Sequence, residues 1–133
     1  MMENEYAPIP DEINTISKVV TDCAFKVHKE LGPGLLESVY EICLYHELQK
    51  SGLKVTRQVN VPVVYDNIKF DAGFRLDLLV DNKMIVEIKA VDEMNPVFDA
   101  QVLTYLKLTK IRLGMLINFN SPVLKRGIKR LVL

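Results

Sequence analysis

Between Ile13 and Leu31 apolar side chains recur every three or four residues, at Ile13, Ile16, Val20, Cys23, Val27 and Leu31, and this spacing predicts an amphipathic helix. The "GPG" at 32–34 ends it, because glycine takes up the C-terminal cap conformation and proline cannot continue the ladder. A second helix is predicted from about Leu35 to Lys50, with Leu36, Val39, Tyr40, Cys43, Leu44 and Leu48 on its apolar side. The chain therefore opens with a helical hairpin. After Gly52 the period changes to two. "KVTRQVNVPVVY", "IKF", "AGFRLDLLV" and "KMIVEIKAV" are rich in β-branched and aromatic residues and are broken by "DN" at 66–67 and 81–82, which predicts an antiparallel meander of four strands.

Helical spacing returns in "NPVFDAQVLTYLKLTK", where Asn95 can cap and Pro96 fits the first helical position. "IRLGMLINF" is apolar on both faces, as an inner strand of a covered sheet is. The tail "LKRGIKRLVL" is read as a strand, with a short helix as the alternative. The predicted order is ααββββαβ plus this tail: an α/β (α+β) protein whose mixed central sheet is flanked by helices. At 133 residues, one domain spanning 1–133 is expected.

Composition adds exclusions. No apolar run approaches the roughly 20 residues that span a bilayer, and the acidic start "MMENEYAPIPDE" lacks the order of a signal peptide, so a cytoplasmic protein without a membrane partner is expected. Cys23 and Cys43 fall on helical apolar faces and read as small buried hydrophobes. The net charge is zero, yet it is segregated. Residues 1–100 carry ten bases against 17 acids, a net of −7, and residues 101–133 carry seven bases and no acid, a net of +7. The basic third could face a polyanion or balance an acidic partner surface.

Two charges interrupt the apolar run "MIVEIKAV", and side chains two apart on a strand share a face, so Glu87 and Lys89 stand on one wall. Asp77, in "FRLDLLV", is a second acid set in an apolar strand. A two-residue turn at Asp81 and Asn82 would point it away from Glu87, whereas a three-residue loop or a bulge in the strand pairs position 77 with 87. The second register is preferred because it gathers Arg75, Asp77 and Leu79 with Ile85, Glu87 and Lys89. It leaves Leu76, Leu78 and Val80 against Met84, Val86, Ile88 and Ala90 as a wholly apolar face.

Two converging carboxylates with the Ile88 carbonyl between them form a hard-oxygen site suited to Mg²⁺ or Mn²⁺. Such an ion polarises a phosphoryl oxygen and lowers the pKa of its water, and Lys89 would stabilise developing charge, which implies phosphodiester hydrolysis. The spacing alone equally suits a surface ion pair between Glu87 and Lys89. Gln101 and Tyr105, at i and i+4, share one face of the following helix and can bond a lysine, a water or a phosphate.

D-x(9)-E-x-K followed by Q-x(3)-Y resembles the PD-(D/E)xK nuclease superfamily, in particular its RecB-like branch. "GLLESVY" at 34–40 has the form of the small bacterial GxxExxY proteins assigned to it. The resemblance runs from "FKVHKELGPGLLESVYE" to "LGMLINF" and implies a restriction-endonuclease-like core. It implies Asp77 and Glu87 as metal-binding acids, Lys89 as the catalytic lysine, Gln101 beside them, and Glu37 near the ion. Arg75 and Tyr105 would lie on the substrate side, with Tyr40 an accessory residue. Leu76 stands where the superfamily name has proline. The implied activity is Mg²⁺-dependent hydrolysis of nucleic acid, DNA ahead of RNA, by a homodimer or within a larger nucleic-acid-processing complex. The alternative is a noncatalytic binding or interaction module on the same fold.

Overall fold

The computed structural model describes residues 7–133. Helices α1 (Asp11–Leu31) and α2 (Glu37–Lys50) are followed by β1 (Val55–Tyr65), β2 (Ile68–Val80), β3 (Met84–Lys89), α3 (Pro96–Thr109), β4 (Leu113–Asn118), a 3₁₀ turn at Leu124–Gly127 and β5 (Ile128–Val132). The strands lie in the order β1-β2-β3-β4-β5. All neighbours are antiparallel except β3 and β4, whose parallel pairing requires a crossover, supplied by α3. This is the mixed sheet flanked by helices that the periodicity predicts.

Each helix is placed by a specific local device. α1 ends at Gly32, whose φ of 67° is a conformation that a side chain would disfavour. α2 begins at Glu37, two residues later than predicted, because Tyr40 reaches back over the turn. Its hydroxyl donates to the Gly32 carbonyl at 2.6 Å and accepts from the Leu35 N–H at 3.1 Å. At α3 the Asn95 side chain accepts from the Val97 N–H at 2.9 Å and Pro96 takes the first turn, as expected.

One strand assignment is corrected and another holds with an addition. "IKF" and "AGFRLDLLV" are one strand, so the meander has three strands. Gly73, at φ 78°, absorbs the irregularity between them while its N–H is held by Asp71 Oδ1 at 2.8 Å. The C-terminal tail is a strand as expected, with a 3₁₀ turn at Leu124–Gly127 ahead of it.

The sheet separates two apolar layers. On one face α1 and α2 cover Leu78, Val80, Met84, Val86, Ile88, Leu113, Met115 and Ile117; on the other, α3 buries Val102, Tyr105 and Leu106 against Val61, Leu76, Ile85 and Leu116. Alternation along β3 therefore sends Ile85, Glu87 and Lys89 toward the α3 side. β4 has all six residues buried, as an inner strand should.

Leu76 departs from the expected pattern. It packs on the α3 side, not with Leu78 and Val80 beneath the helical hairpin. The alternation changes phase at Asp77. The β1–β2 pairing runs from Val55↔Val80 to Arg57↔Leu78 and resumes at Val59↔Leu76, skipping Gln58 and Asp77, and Gln58 is left-handed at φ 53°. That backbone flip rolls the ribbon about this point. Among the described residues no helix is long and apolar enough to cross a membrane.

Candidate functional site

Leu78, Leu79 and Val80 pair with Val86, Ile85 and Met84, which leaves a three-residue loop and places position 77 opposite 87. This is the register that the side-chain pattern favours. The backbone ladder stops there, and side chains take its place. Glu87 Oε2 accepts from the Asp77 N–H at 2.8 Å, and Asp77 Oδ2 accepts from the Ile88 N–H at 2.8 Å. Each acid fills a ladder position on the opposite strand. The two carboxylates are wedged into a splay between β2 and β3, and their orientations are fixed by backbone donors.

Burial and crowding make this arrangement electrostatically costly. Glu87 is 5% exposed. Desolvation, followed by repulsion from Asp77, raises its carboxyl to a pKa of about 8, against the opposing pull of the Asp77 N–H and of Lys89. Asp77 is raised as well, first by desolvation, with the charges of Glu41 and Glu37 adding to it and the Ile88 N–H and Lys89 opposing. Among the described residues no cationic group forms an ion pair with either acid. The surface ion pair between Glu87 and Lys89 does not form. The Lys89 ammonium instead lies over the Phe98 ring, 4.4 Å from its centroid.

Helices reach the splay from both faces. On α3, Tyr105 is 4% exposed, and its hydroxyl is raised by desolvation and by the charges of Glu87 and Asp77. Its ring meets Phe74 edge-on at 6.1 Å. Gln101, one turn earlier, is exposed. On α2, Glu37 is exposed in the first turn and acts on Asp77 through its charge. Arg75 is exposed at the root of the β1–β2 hairpin, opposite Asn60. Tyr40 is fully buried, stacked on Phe119 at 4.7 Å, and both its hydroxyl bonds go to the α1–α2 turn, so it holds the approach to α2.

Sequence reasoning missed Glu41. It is 6% exposed; its Oε1 accepts from Gln58 Nε2 at 2.7 Å and its Oε2 from Arg57 Nε at 3.1 Å. Gln58 Nε2 also lies 3.5 Å from Asp77 Oδ1, so the left-handed residue links the helix acid to the strand acid. The available signal was spacing: Glu41 is one turn beyond Glu37, beside the buried Tyr40 and Leu44.

The loops beyond β3 are tied as firmly. Asn118, 5% exposed, accepts from the Val91 N–H at 3.1 Å and donates to the Val91 carbonyl at 3.0 Å. Asn120 accepts from the Gly34 N–H and donates to Asp92, joining the α1–α2 turn to the β3–α3 loop. His28 contacts the Ser121 carbonyl at 2.9 Å, a structural placement. The basic third is partly engaged: Lys129 pairs with Asp99, Arg130 with Asn14, and Arg112 with backbone carbonyls. Lys107, Lys110, Lys125 and Arg126 remain exposed. A cavity of about 330 Å³ lies beside Arg126 and Lys129, lined also by Asn95, Pro96, Asp99 and Gly127.

The donor set fits a hard divalent cation. Buried Glu87 and half-buried Asp77 have no paired base among the described residues, and a bound ion would favour their ionised forms by supplying the missing partner. No group of three or more His, Cys, Asp or Glu side chains is arranged to hold a metal among the described residues. An ion here would therefore complete its shell with backbone oxygen, water and phosphate, as Mg²⁺ does.

Among curated proteins no match to the chain is found. The model of the PD-(D/E)XK nuclease superfamily matches residues 14–131, from the first turn of α1 to the end of β5 and through every acid of the splay, and the chain belongs to that superfamily.

Proposed function

We propose that the chain is a divalent-metal-dependent nuclease of the GxxExxY group, hydrolysing phosphodiester bonds in DNA in preference to RNA. The observation that carries this reading is the crossed bonding that holds buried Glu87 and half-buried Asp77 side by side between β2 and β3, with no paired base among the described residues. Asp77 and Glu87, with the Ile88 carbonyl, would hold Mg²⁺ or Mn²⁺. When bound, the ion supplies Lewis-acid polarisation of a phosphoryl oxygen and a water of lowered pKa.

The chain's own residues have separable roles. Lys89, two residues beyond Glu87 on the same face, presents an ammonium to charge developing on the phosphate. Gln101 and Tyr105 approach from α3 and Arg75 from the hairpin root, each offering donors to the nucleic-acid backbone. Glu37 adds negative charge beside the ion from α2. Glu41 fixes Gln58 against Asp77. Exposed Lys107, Lys110, Lys125 and Arg126 extend the basic surface along which a strand could lie.

Calorimetry with Mn²⁺ and nicking of supercoiled plasmid test the reading together. Wild type should bind Mn²⁺ and nick the plasmid, EDTA should abolish nicking, and Glu87→Gln should lose both properties. Metal binding that is absent, or unchanged in Glu87→Gln, overturns it. A noncatalytic module is the second reading, favoured by the placement of Lys89 over Phe98, where it forms no ion pair with either acid. Metal binding without cleavage of plasmid, linear duplex, single-stranded DNA or RNA would select it.

A further inference from the structure

The β1–β2 hairpin continues beyond the sheet in which it is rooted. β3 pairs with β2 only over Leu78–Val80, whereas β1 and β2 stay paired out to Tyr65↔Ile68. The outer part of this arm has its ladder only within itself, among the described residues, and presents two backbone edges. They are not equivalent. On the β1 edge Pro62 has no N–H to offer, which obstructs addition of a further strand. The β2 edge from Ile68 to Ala72 contains no proline. It is bounded by the left-handed Asp66–Asn67 turn at one end and by Gly73, at φ 78°, at the other.

The arm is also poorly suited to solvent. Tyr65 is 74% exposed, Ile68 60% and Phe70 44%. Tyr65 faces Ile68 across the hairpin and Val63 faces Phe70, so the four share one apolar face. Residues 60–75 carry two acids and two bases, a net of zero, which gives a polyanion nothing to hold.

The geometry points to a second copy of this chain as the partner, added edge to edge along Ile68–Ala72 about a two-fold axis at Phe70. Phe70 is the midpoint of the free edge. An antiparallel pairing centred there sets Phe70 against its counterpart, Ile68 opposite the partner's Ala72, and Lys69 opposite the partner's Asp71, twice over. Centring the axis on Lys69 would set lysine against lysine, and centring it on Asp71 would set acid against acid. Of these three central registers the charges select the one on Phe70, and β-strand addition supplies the backbone bonds.

Size-exclusion chromatography with light scattering tests this. Wild type should run at twice the 15.2 kDa chain mass. Lys69→Glu alone and Asp71→Lys alone each set like charges opposite one another, and each should fall to the single-chain mass. Mixed one to one, the two variants restore opposite charges at both crossed positions, and the doubled mass should return. That recovery also shows that both variants are folded. The inference is overturned by a wild type that stays at the single-chain mass into the high micromolar range, which would leave the arm to another protein. It is equally overturned by single variants that remain doubled, or by a mixture that does not recover.

Discussion

Glu87 shows at the scale of one residue how a site can oppose the fold that holds it. Its carboxyl titrates near 4.5 when unfolded and at about 8 when folded, because burial and Asp77 both disfavour the charge. Between those values the folded state binds more protons than the unfolded one. Without metal, stability should therefore fall as pH rises from about 4.5 to 8 and then level off. Urea titrations in EDTA across that range would show it, and a stability that rose instead would remove the electrostatic account. Glu87→Gln keeps an acceptor for the Asp77 N–H and removes the charge. It should stabilise the metal-free protein by a few kcal/mol at about pH 8 and by little at about pH 5, read from the same curves. A metal at the proposed site would reverse the relation: binding would need the ionised pair, so Mn²⁺ affinity should climb with pH toward about 8 and binding should release protons, measurable by calorimetry in buffers of different ionisation enthalpy.

At the scale of elements, what aims the site is a set of short ties. Tyr40→Phe deletes both bonds to the α1–α2 turn while keeping the stack on Phe119. It should cost about 1–3 kcal/mol and loosen the start of α2, as chemical denaturation and hydrogen exchange at Leu35 would report. α3 depends on a glycine: a Cβ on Gly114 would stand 2.7 Å from Val102 Cγ1. Gly114→Ala should therefore push α3, and Tyr105 with it, off β4 at a cost of about 1–3 kcal/mol in urea unfolding. The elements themselves were readable where chemistry is local. The spacing of α1, the Asn95–Pro96 start of α3 and the apolar β4 follow from neighbouring residues. The β2–β3 register was readable because polar groups had to collect on one face. The phase change at Asp77 was not, since nothing in "RQVN" announces that Gln58 turns left-handed. Leu76 was consequently assigned to the wrong layer. Glu41 was hidden for a related reason: a helix acid looks like surface until the strand it faces is known.

Over the whole molecule, the sheet keeps two apolar layers apart, and the acids sit where neither layer closes. α2 comes from one side of the splay and α3 from the other, so helices that do not touch the same core meet at the same pair of carboxylates. The segregation of charge along the chain has a spatial outcome as well. Lys129 ties β5 to Asp99 at the start of α3, and Arg130 ties it to Asn14 on α1, so part of the basic third brackets the fold and the remainder faces outward. Sequence separates the charges along the chain; only the three-dimensional arrangement distinguishes braces from free surface.

The ladder-filling role of Asp77 and Glu87 makes each motif acid a piece of scaffold. An alanine at either position deletes a strand-to-strand rung together with a proposed ligand, so a loss of nicking in that variant would report folding and chemistry at once. Amide replacements separate the two. What the sheet requires at these two positions is a side-chain acceptor, which Gln or Asn also offers, so the fold by itself does not demand the acids and only an ion would.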